Sequence, residues 1–201
     1  MKTSGLVCAC VWLAATCLLA AAEPASETLG QELVRLVRED QADRDAVTDG
    51  LKANDPAPMK RMNEHDAART ARLKEIVAEH GWPTVALVGK EGVNAAWLLL
   101  QHTDDVAWQA SLLPAVERAA EAGEVRKKDL ATLIDRVLVR SGKPQRYGCS
   151  FSLKDGKMVA DPIEDLAQVD ARRATMGLPP MTEYVRVLAD VYQLPVVWPP
   201  E

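Results

Sequence analysis

The chain is 201 residues long, with 48% hydrophobic and 4% aromatic residues and a formal net charge of −5. An acidic chain without clustered Lys and Arg is poorly suited to nucleic-acid phosphates, so we expect no nucleic-acid partner. The length suits one domain with a real core, and apolar residues that are mostly Ala, Leu and Val favour helix over sheet.

Residues 1–22 have the three parts of a secretory signal peptide. Lys2 is the only charge in this stretch, an apolar run follows from Gly5, and small residues end it at Ala22, just before Glu23. We therefore expect cleavage near Ala22 and an exported mature chain, periplasmic or extracellular, that has no membrane span of its own.

Two alternatives to full cleavage remain open at this point. A retained membrane anchor would need a longer apolar run to cross the hydrocarbon layer. A lipoprotein signal would use Cys17, but Thr16 before it is a poor fit. Cleavage near Ala22 removes three of the four cysteines and leaves Cys149, so the mature chain can form neither an internal disulfide nor a cysteine-rich zinc site.

Helical periodicity predicts five helices in the first two thirds of the mature chain. The first begins at Leu29, behind a capping box formed by Thr28 and Gln31. The second starts at Pro58 and ends at Gly81. Residues 82–92 are predicted as a connector, and three further helices follow over residues 93–102, 106–123 and 130–142.

The period changes to two over residues 146–153, which is typical of a strand. Asp155 and Gly156 predict a type I′ turn, and residues 157–160 form the returning strand. Two short helices complete the chain, over residues 170–176 and from Pro180 to about Tyr192. The predicted fold is mainly α (α+β): a compact bundle of six to seven helices with one small β-hairpin, in a single domain over residues 23–194, followed by a Pro-rich tail over residues 195–201.

The first candidate site closes the most apolar predicted helix. His102 is a candidate general acid or base, Gln101 would position a ligand, and Asp104 or Asp135 would orient the imidazole. A structural interpretation is also open, because an imidazolium at a helix C-terminus is stabilised by the helix dipole. In that case Asp104 or Asp105 caps the next helix.

Two further groups are candidates for ligand binding. His80 ends a helix and Trp82 could form the wall of a pocket, although a loop Trp is more often simple packing. Gln145, Arg146 and Tyr147 lead into the hairpin and offer an amide, a guanidinium and a phenol for hydrogen bonds to a ligand. The alternative for these three residues is a structured entry into the hairpin.

Asp135 and Arg136 lie inside an otherwise apolar helix. Adjacent helical residues point about 100° apart, so one of the two faces inward, and we expect a structural salt bridge to satisfy it. The three histidines show no metal-binding spacing, so we expect neither a metal nor a cofactor. Cys149 could be a nucleophile, but it is more simply a small strand residue.

A series of short motifs runs through nearly the whole mature chain. They are Glu39-Asp40-Gln41-x-x-Arg44, His80-Gly81-Trp82-Pro83, Ala95-Ala96-Trp97-Leu98-Leu99 with Gln101-His102, Asp135-Arg136-Val137, Pro144-Gln145-Arg146-Tyr147-Gly148, Pro162-Ile163-Glu164-Asp165, Val169-Asp170-x-Arg172-Arg173 and Gly177-Leu178-Pro179-Pro180. In this order they resemble a bacterial family, domain of unknown function 6624. The resemblance implies no activity.

The chain departs from this family at one motif. The family usually reads Tyr-Gly-Thr-Gln where this chain has Tyr147-Gly148-Cys149-Ser150. The resemblance therefore implies an altered site at Cys149 and Ser150, and it argues against a thiol nucleophile that relatives lack.

Two functions fit these observations. The first is an envelope or periplasmic module that binds a small ligand or a protein partner. The second is an extracytoplasmic hydrolase or transferase in which His102 acts as general acid or base.

Overall fold

The computed structural model describes residues 27–199, so the predicted signal peptide lies outside the described residues. Seven α-helices and one small three-stranded sheet make up this part of the chain, which confirms the predicted mainly helical fold. The helices are α1 Leu29–Ala53, α2 Ala57–His80, α3 Val85–His102, α4 Val106–Glu121, α5 Lys127–Arg140, α6 Val169–Thr175 and α7 Met181–Tyr192. The strands are β1 Phe151–Lys154, β2 Lys157–Ala160 and β3 Val196–Val197.

The predicted capping box starts α1. The Thr28 hydroxyl accepts the N–H of Gln31 at 3.3 Å, and the Gln31 side chain accepts the N–H of Thr28 at 2.9 Å. Two of the donors that a helix N-terminus leaves free are thereby satisfied.

Helix α3 begins eight residues before the predicted start at residue 93. The Thr84 hydroxyl accepts the N–H of Leu87 at 3.3 Å and caps a first helical turn. Gly89 then takes a φ of 72°, a left-handed value that interrupts the helix. The glycines that indicated a connector therefore mark a break inside one longer element.

The hydrophobic core lies where α1, α2, α3, α4 and α5 meet. Its fully buried side chains include Leu33, Leu73, Leu100 and Leu133, each with no exposed area. Gly30 allows α1 to approach α3 closely, because a Cβ there would overlap the carbonyl oxygen of Val88. Among residues 27–199 no helix is both long and apolar enough to cross a membrane.

The hairpin packs beside this bundle. Asp155 and Gly156 both have positive φ, 48° and 74°, as the predicted type I′ turn requires. β1 and β2 pair antiparallel, and β3 adds to β2 in parallel with Met158 opposite Val196. The sequence did not indicate β3, since two residues are too few to show a period.

Candidate functional site

The loop between α5 and the hairpin is held by the buried carboxylate of Asp135. Asp135 accepts the backbone N–H groups of Arg146 at 2.8 Å, Tyr147 at 3.0 Å and Cys149 at 2.8 Å. Burial raises the pKa of Asp135, and these hydrogen bonds act in the opposite direction. The side chain thus fixes the backbone of the predicted Gln145–Tyr147 site.

Arg173 and Gln145 hold the same loop from its carbonyl side. Arg173 is fully buried and donates to the carbonyls of Pro179 at 2.6 Å and Tyr147 at 2.5 Å. The Gln145 amide donates to the carbonyls of Ser150 at 2.8 Å and Asp161 at 2.9 Å, and accepts the N–H of Ser150 at 2.8 Å. This rigid loop positions the residues that enter the hairpin.

A cleft of about 350 Å³ opens between α5, the hairpin and α7, and we call it the Arg136 cleft. Its apolar lining comes from all three elements: Val139, Phe151, Met158 and Leu188. Its polar lining includes Arg136, Arg140, Cys149, Ser150, Asp161 and Tyr184. More than half of the surface that lines this cleft is polar, and the apolar wall lies beside it.

Arg136 is half-buried in this cleft, and its side chain makes no hydrogen bond or ion pair with any residue between 27 and 199. Burial lowers the pKa of its guanidinium, and the positive charges of Arg140 and Arg44 lower it further. Arg140 is already engaged, since it donates to the Thr103 carbonyl at 2.8 Å and to the Asp104 carboxylate at 3.0 Å. The Asp104 carboxylate acts in the opposite direction, but it is paired with Arg140, so the cleft presents a cation without an ion-pair partner of its own among the described residues.

Tyr184 and Ser150 add neutral donors to the cleft. Burial raises the pKa of Tyr184 to about 12, which keeps its hydroxyl protonated at neutral pH. Neither this hydroxyl nor that of Ser150 has a hydrogen-bond partner within the described chain. Burial, with a further contribution from Asp135, also raises the pKa of the Cys149 thiol to about 12, so a thiolate nucleophile is unfavourable there.

A second group of polar side chains, which we call the Asp40 cluster, joins α1 to the end of α3: Asp40, Arg44, Asp66 and His102. His102 Nδ1 lies 2.8 Å from Asp40 Oδ2, and Asp40 is completely buried. Arg44 donates to Asp40 Oδ1 at 2.9 Å and to Asp66 at 3.1 Å. Burial acts to raise the pKa of Asp40, but hydrogen bonds from His102, Arg44 and Gln41 outweigh it and hold the pKa well below its usual range.

The tautomer of His102 follows from these contacts. Arg44 Nε also lies 3.0 Å from Nδ1, but two N–H groups cannot bond each other, and a guanidinium cannot accept. The buried carboxylate of Asp40 is the stronger partner, so Nδ1 carries a hydrogen toward Asp40 and Arg44 Nε turns to Asp40 Oδ2, 3.2 Å away. Nε2 of His102 has no protein partner among residues 27–199.

The remaining predicted residues lie apart from the Arg136 cleft and the Asp40 cluster, or only at their edge. Trp82 is buried in the core at 8% exposure, and His80 is exposed beside Glu79. Gln101 is 3% exposed, and neither of its amide atoms has a partner within residues 27–199. Arg146 lies on the surface, 3.8 Å from Glu164.

Sequence reasoning missed the partners that complete each cluster. Asp40 entered only through the resemblance, and Tyr184 and Asp161 were not considered as site residues. The expected salt bridge at Asp135 and Arg136 is absent from the described residues, because three backbone N–H groups satisfy Asp135 instead. Asp40, Tyr184 and Asp161 are distant in sequence from the residues whose sites they complete, so local spacing does not indicate them.

A larger groove of about 840 Å³ lies between α1 and α3, away from the Arg136 cleft and the Asp40 cluster. Its charged lining is exposed, and Arg35 there is already paired with Glu27 at 3.2 Å and Glu39 at 3.0 Å. Exposed charges of this kind are satisfied by water and by each other. Within residues 27–199 no group of three or more His, Cys, Asp or Glu side chains is placed to hold a metal ion.

Residues 27–197 match the model of a family described as "Family of unknown function (DUF6624)". No curated protein and no solved structure matches the chain.

Proposed function

The chain belongs to this family of unknown function (DUF6624), and since that membership brings no activity with it, we propose a function from the site itself. The mature domain is an exported module that binds a small anionic ligand in the Arg136 cleft. The ligand's anionic group pairs with the guanidinium of Arg136, and its body lies against the apolar wall.

One observation carries this proposal: Arg136 is a half-buried cation in a concave site with no carboxylate partner in the described chain. A buried charge is normally paired, because the free energy lost when the group leaves water is larger than the free energy gained from weak attraction to distant charges. A carboxylate or phosphate would accept two parallel hydrogen bonds from the guanidinium. The free hydroxyls of Tyr184 and Ser150 supply donors for its remaining lone pairs.

The direct test is to locate binding of a monoanion by ¹H–¹⁵N NMR, with N-acetyl-L-leucine as the probe. We expect its largest amide shifts at Ser150, Phe151 and Tyr184, which surround the cleft. Shifts concentrated on Val88–Gly92 instead would place the anion in the groove between α1 and α3 and contradict the proposal.

Export forms part of the same proposal. It is supported by Lys2, the apolar run from Gly5 and the small residues that end at Ala22. Mass spectrometry of the protein purified from its native host should give Glu23 as the first residue. A soluble protein that retains Met1 would contradict export.

A second candidate function, hydrolysis or group transfer, is favoured by the pairing of Asp40 with His102. A buried carboxylate fixes Nδ1 while Nε2 stays free, which is the arrangement of an oriented general base. In this reaction class Nε2 would take the proton of a water or hydroxyl nucleophile, and Asp40 would stabilise the resulting imidazolium.

This second function predicts loss of turnover in a His102→Asn variant. With p-nitrophenyl acetate and p-nitrophenyl phosphate as probes, general-base catalysis implies a loss of roughly a hundredfold or more. His65→Asn is the matched control, because His65 also contacts a carboxylate, Asp43, at 3.0 Å but is exposed. Equal turnover by the wild type and both variants, with folding verified by circular dichroism, would leave His102 a structural role only.

A further inference from the structure

The Arg136 cleft contains a buried anion, Asp161, as well as a half-buried cation. Asp161 lines the cleft with 9% of its surface exposed. Its Oδ1 accepts the hydroxyl of Ser152 at 2.6 Å, and no Lys, Arg or His within residues 27–199 forms an ion pair with it. One neutral donor does not replace the hydration of a carboxylate, so this group also lacks a full partner.

The two charges do not satisfy each other. Arg136 and Asp161 line one cleft but form no ion pair, and Asp161 is not among the charges that shift the pKa of Arg136, so the two groups lie apart. Arg136 lies on α5, whereas Asp161 directly follows β2, and the loop that Asp135 and Gln145 hold by hydrogen bonds connects these elements. A site with separated, fixed and opposite charges is complementary to a ligand that carries both.

The apolar wall indicates the character of the rest of the ligand. Val139, Phe151, Met158 and Leu188 come from α5, the hairpin and α7, and they give the cleft an uncharged side. About 350 Å³ lies at the small end of the range for ligand pockets. A molecule of this kind has one anionic group, one cationic group and a short apolar side chain.

We propose that the Arg136 cleft binds a small zwitterion of the amino-acid class, with its carboxylate on Arg136, its ammonium on Asp161 and an apolar side chain against the wall. This proposal rests on the function proposed above and names the ligand class of the same site. Tyr184 and Ser150 would donate to the carboxylate oxygens that Arg136 leaves free.

The test is calorimetric titration of the mature protein with three probes that share the leucine side chain: L-leucine, N-acetyl-L-leucine and L-leucinamide. N-acetylation removes the positive charge, and amidation removes the negative one. Because hydrogen bonds between charged groups are the strong ones, we expect each change to weaken binding roughly tenfold or more relative to L-leucine.

An Asp161→Asn variant completes the test. It should bind L-leucine as weakly as the wild type binds N-acetyl-L-leucine, while Asp190→Asn, an exposed change on α7, should leave all three affinities unchanged.

Equal affinity of the wild type for L-leucine and N-acetyl-L-leucine would overturn the zwitterion proposal but leave anion binding intact. Failure of both carboxylate probes to bind would overturn both proposals. Even if Asp161→Asn does not fold, the affinities of the wild-type protein for the three probes still test the zwitterion proposal.

Discussion

Two neighbouring residues of α5 differ in how their charges are satisfied. Asp135 points toward the loop before the hairpin, where three backbone N–H groups surround it. Arg136 points about 100° away, into the cleft, where no described residue pairs with it. The aspartate therefore holds structure, and the arginine is the group that a ligand can complete.

Asp135→Asn is predicted to destabilise the fold. The amide keeps one acceptor oxygen and turns an NH₂ group toward backbone N–H groups that then lose their partner. Leaving such donors unsatisfied in a buried site costs about 2 to 3 kcal/mol. Urea denaturation measures the change in free energy of unfolding. Asp190→Asn, at an exposed position of α7, should change it by less than about 0.5 kcal/mol, and an equally small effect at Asp135 would show that this carboxylate does not hold the loop.

The Asp40 cluster predicts a pH dependence of stability. Its neighbours hold the folded-state pKa of Asp40 below the ordinary value of 3.8, so the carboxylate stabilises the fold above that pH. This contribution is lost as the pH falls from about 4 through the lower folded-state pKa.

Asp40→Asn tests this pH dependence. At pH 7 the variant should be about 3 kcal/mol less stable, because His102 and Arg44 lose a buried partner. The gap between wild type and variant should begin to narrow below about pH 4, when urea denaturation is repeated along a pH series. A gap that stays constant from pH 7 to pH 3 would show that Asp40 is not an anchored carboxylate.

At the scale of elements, the sequence predicts what depends on local periodicity and caps. Both the helices and the hairpin were predictable, because amphipathic spacing, the Thr28 cap and the Asp155-Gly156 turn are local signals. The start of α3 and the strand β3 were not, because a capped turn before Gly89 and a two-residue strand show no period.

The functional clusters were only half predictable for a related reason. His102 was identified from its place at a helix end, but its carboxylate partner lies 62 residues earlier, on α1. Arg136 was visible as a charge in an apolar helix, yet its cleft is completed by Asp161 and Tyr184 from other elements. Side-chain partners that are distant in sequence leave no mark on local spacing.

The close contact between α1 and α3 can be tested by a substitution at Gly30. Gly30→Ala would normally favour a helix by up to about 1 kcal/mol. Here the added methyl would overlap the carbonyl of Val88, and since that is backbone, the two helices must separate. We expect a net loss of about 1 to 3 kcal/mol in the free energy of unfolding. A stabilised Gly30→Ala protein would mean that the helices lie further apart.

For the whole molecule, the cleft joins two parts of the structure. α5 belongs to the helical core, whereas the hairpin and α7 pack beside it, and the loop held by Asp135, Gln145 and Arg173 fixes one to the other. A ligand in the cleft would contact both parts, and binding to the folded state alone must stabilise it. At a ligand concentration one hundred times Kd, the free energy of unfolding should rise by about 2.7 kcal/mol. An unchanged urea midpoint at that concentration would contradict binding to the native fold.

Anion binding by Arg136 is tested most directly by the Kd of N-acetyl-L-leucine, measured by calorimetry for three proteins. They are the wild type, Arg136→Gln and Arg38→Gln. The control removes the same charge from an exposed arginine of α1 that also lacks an ion-pair partner among residues 27–199. We predict that Arg136→Gln weakens binding roughly tenfold or more, while Arg38→Gln stays within about twofold of the wild type. Equal affinity of the wild type and Arg136→Gln would contradict anion binding by Arg136.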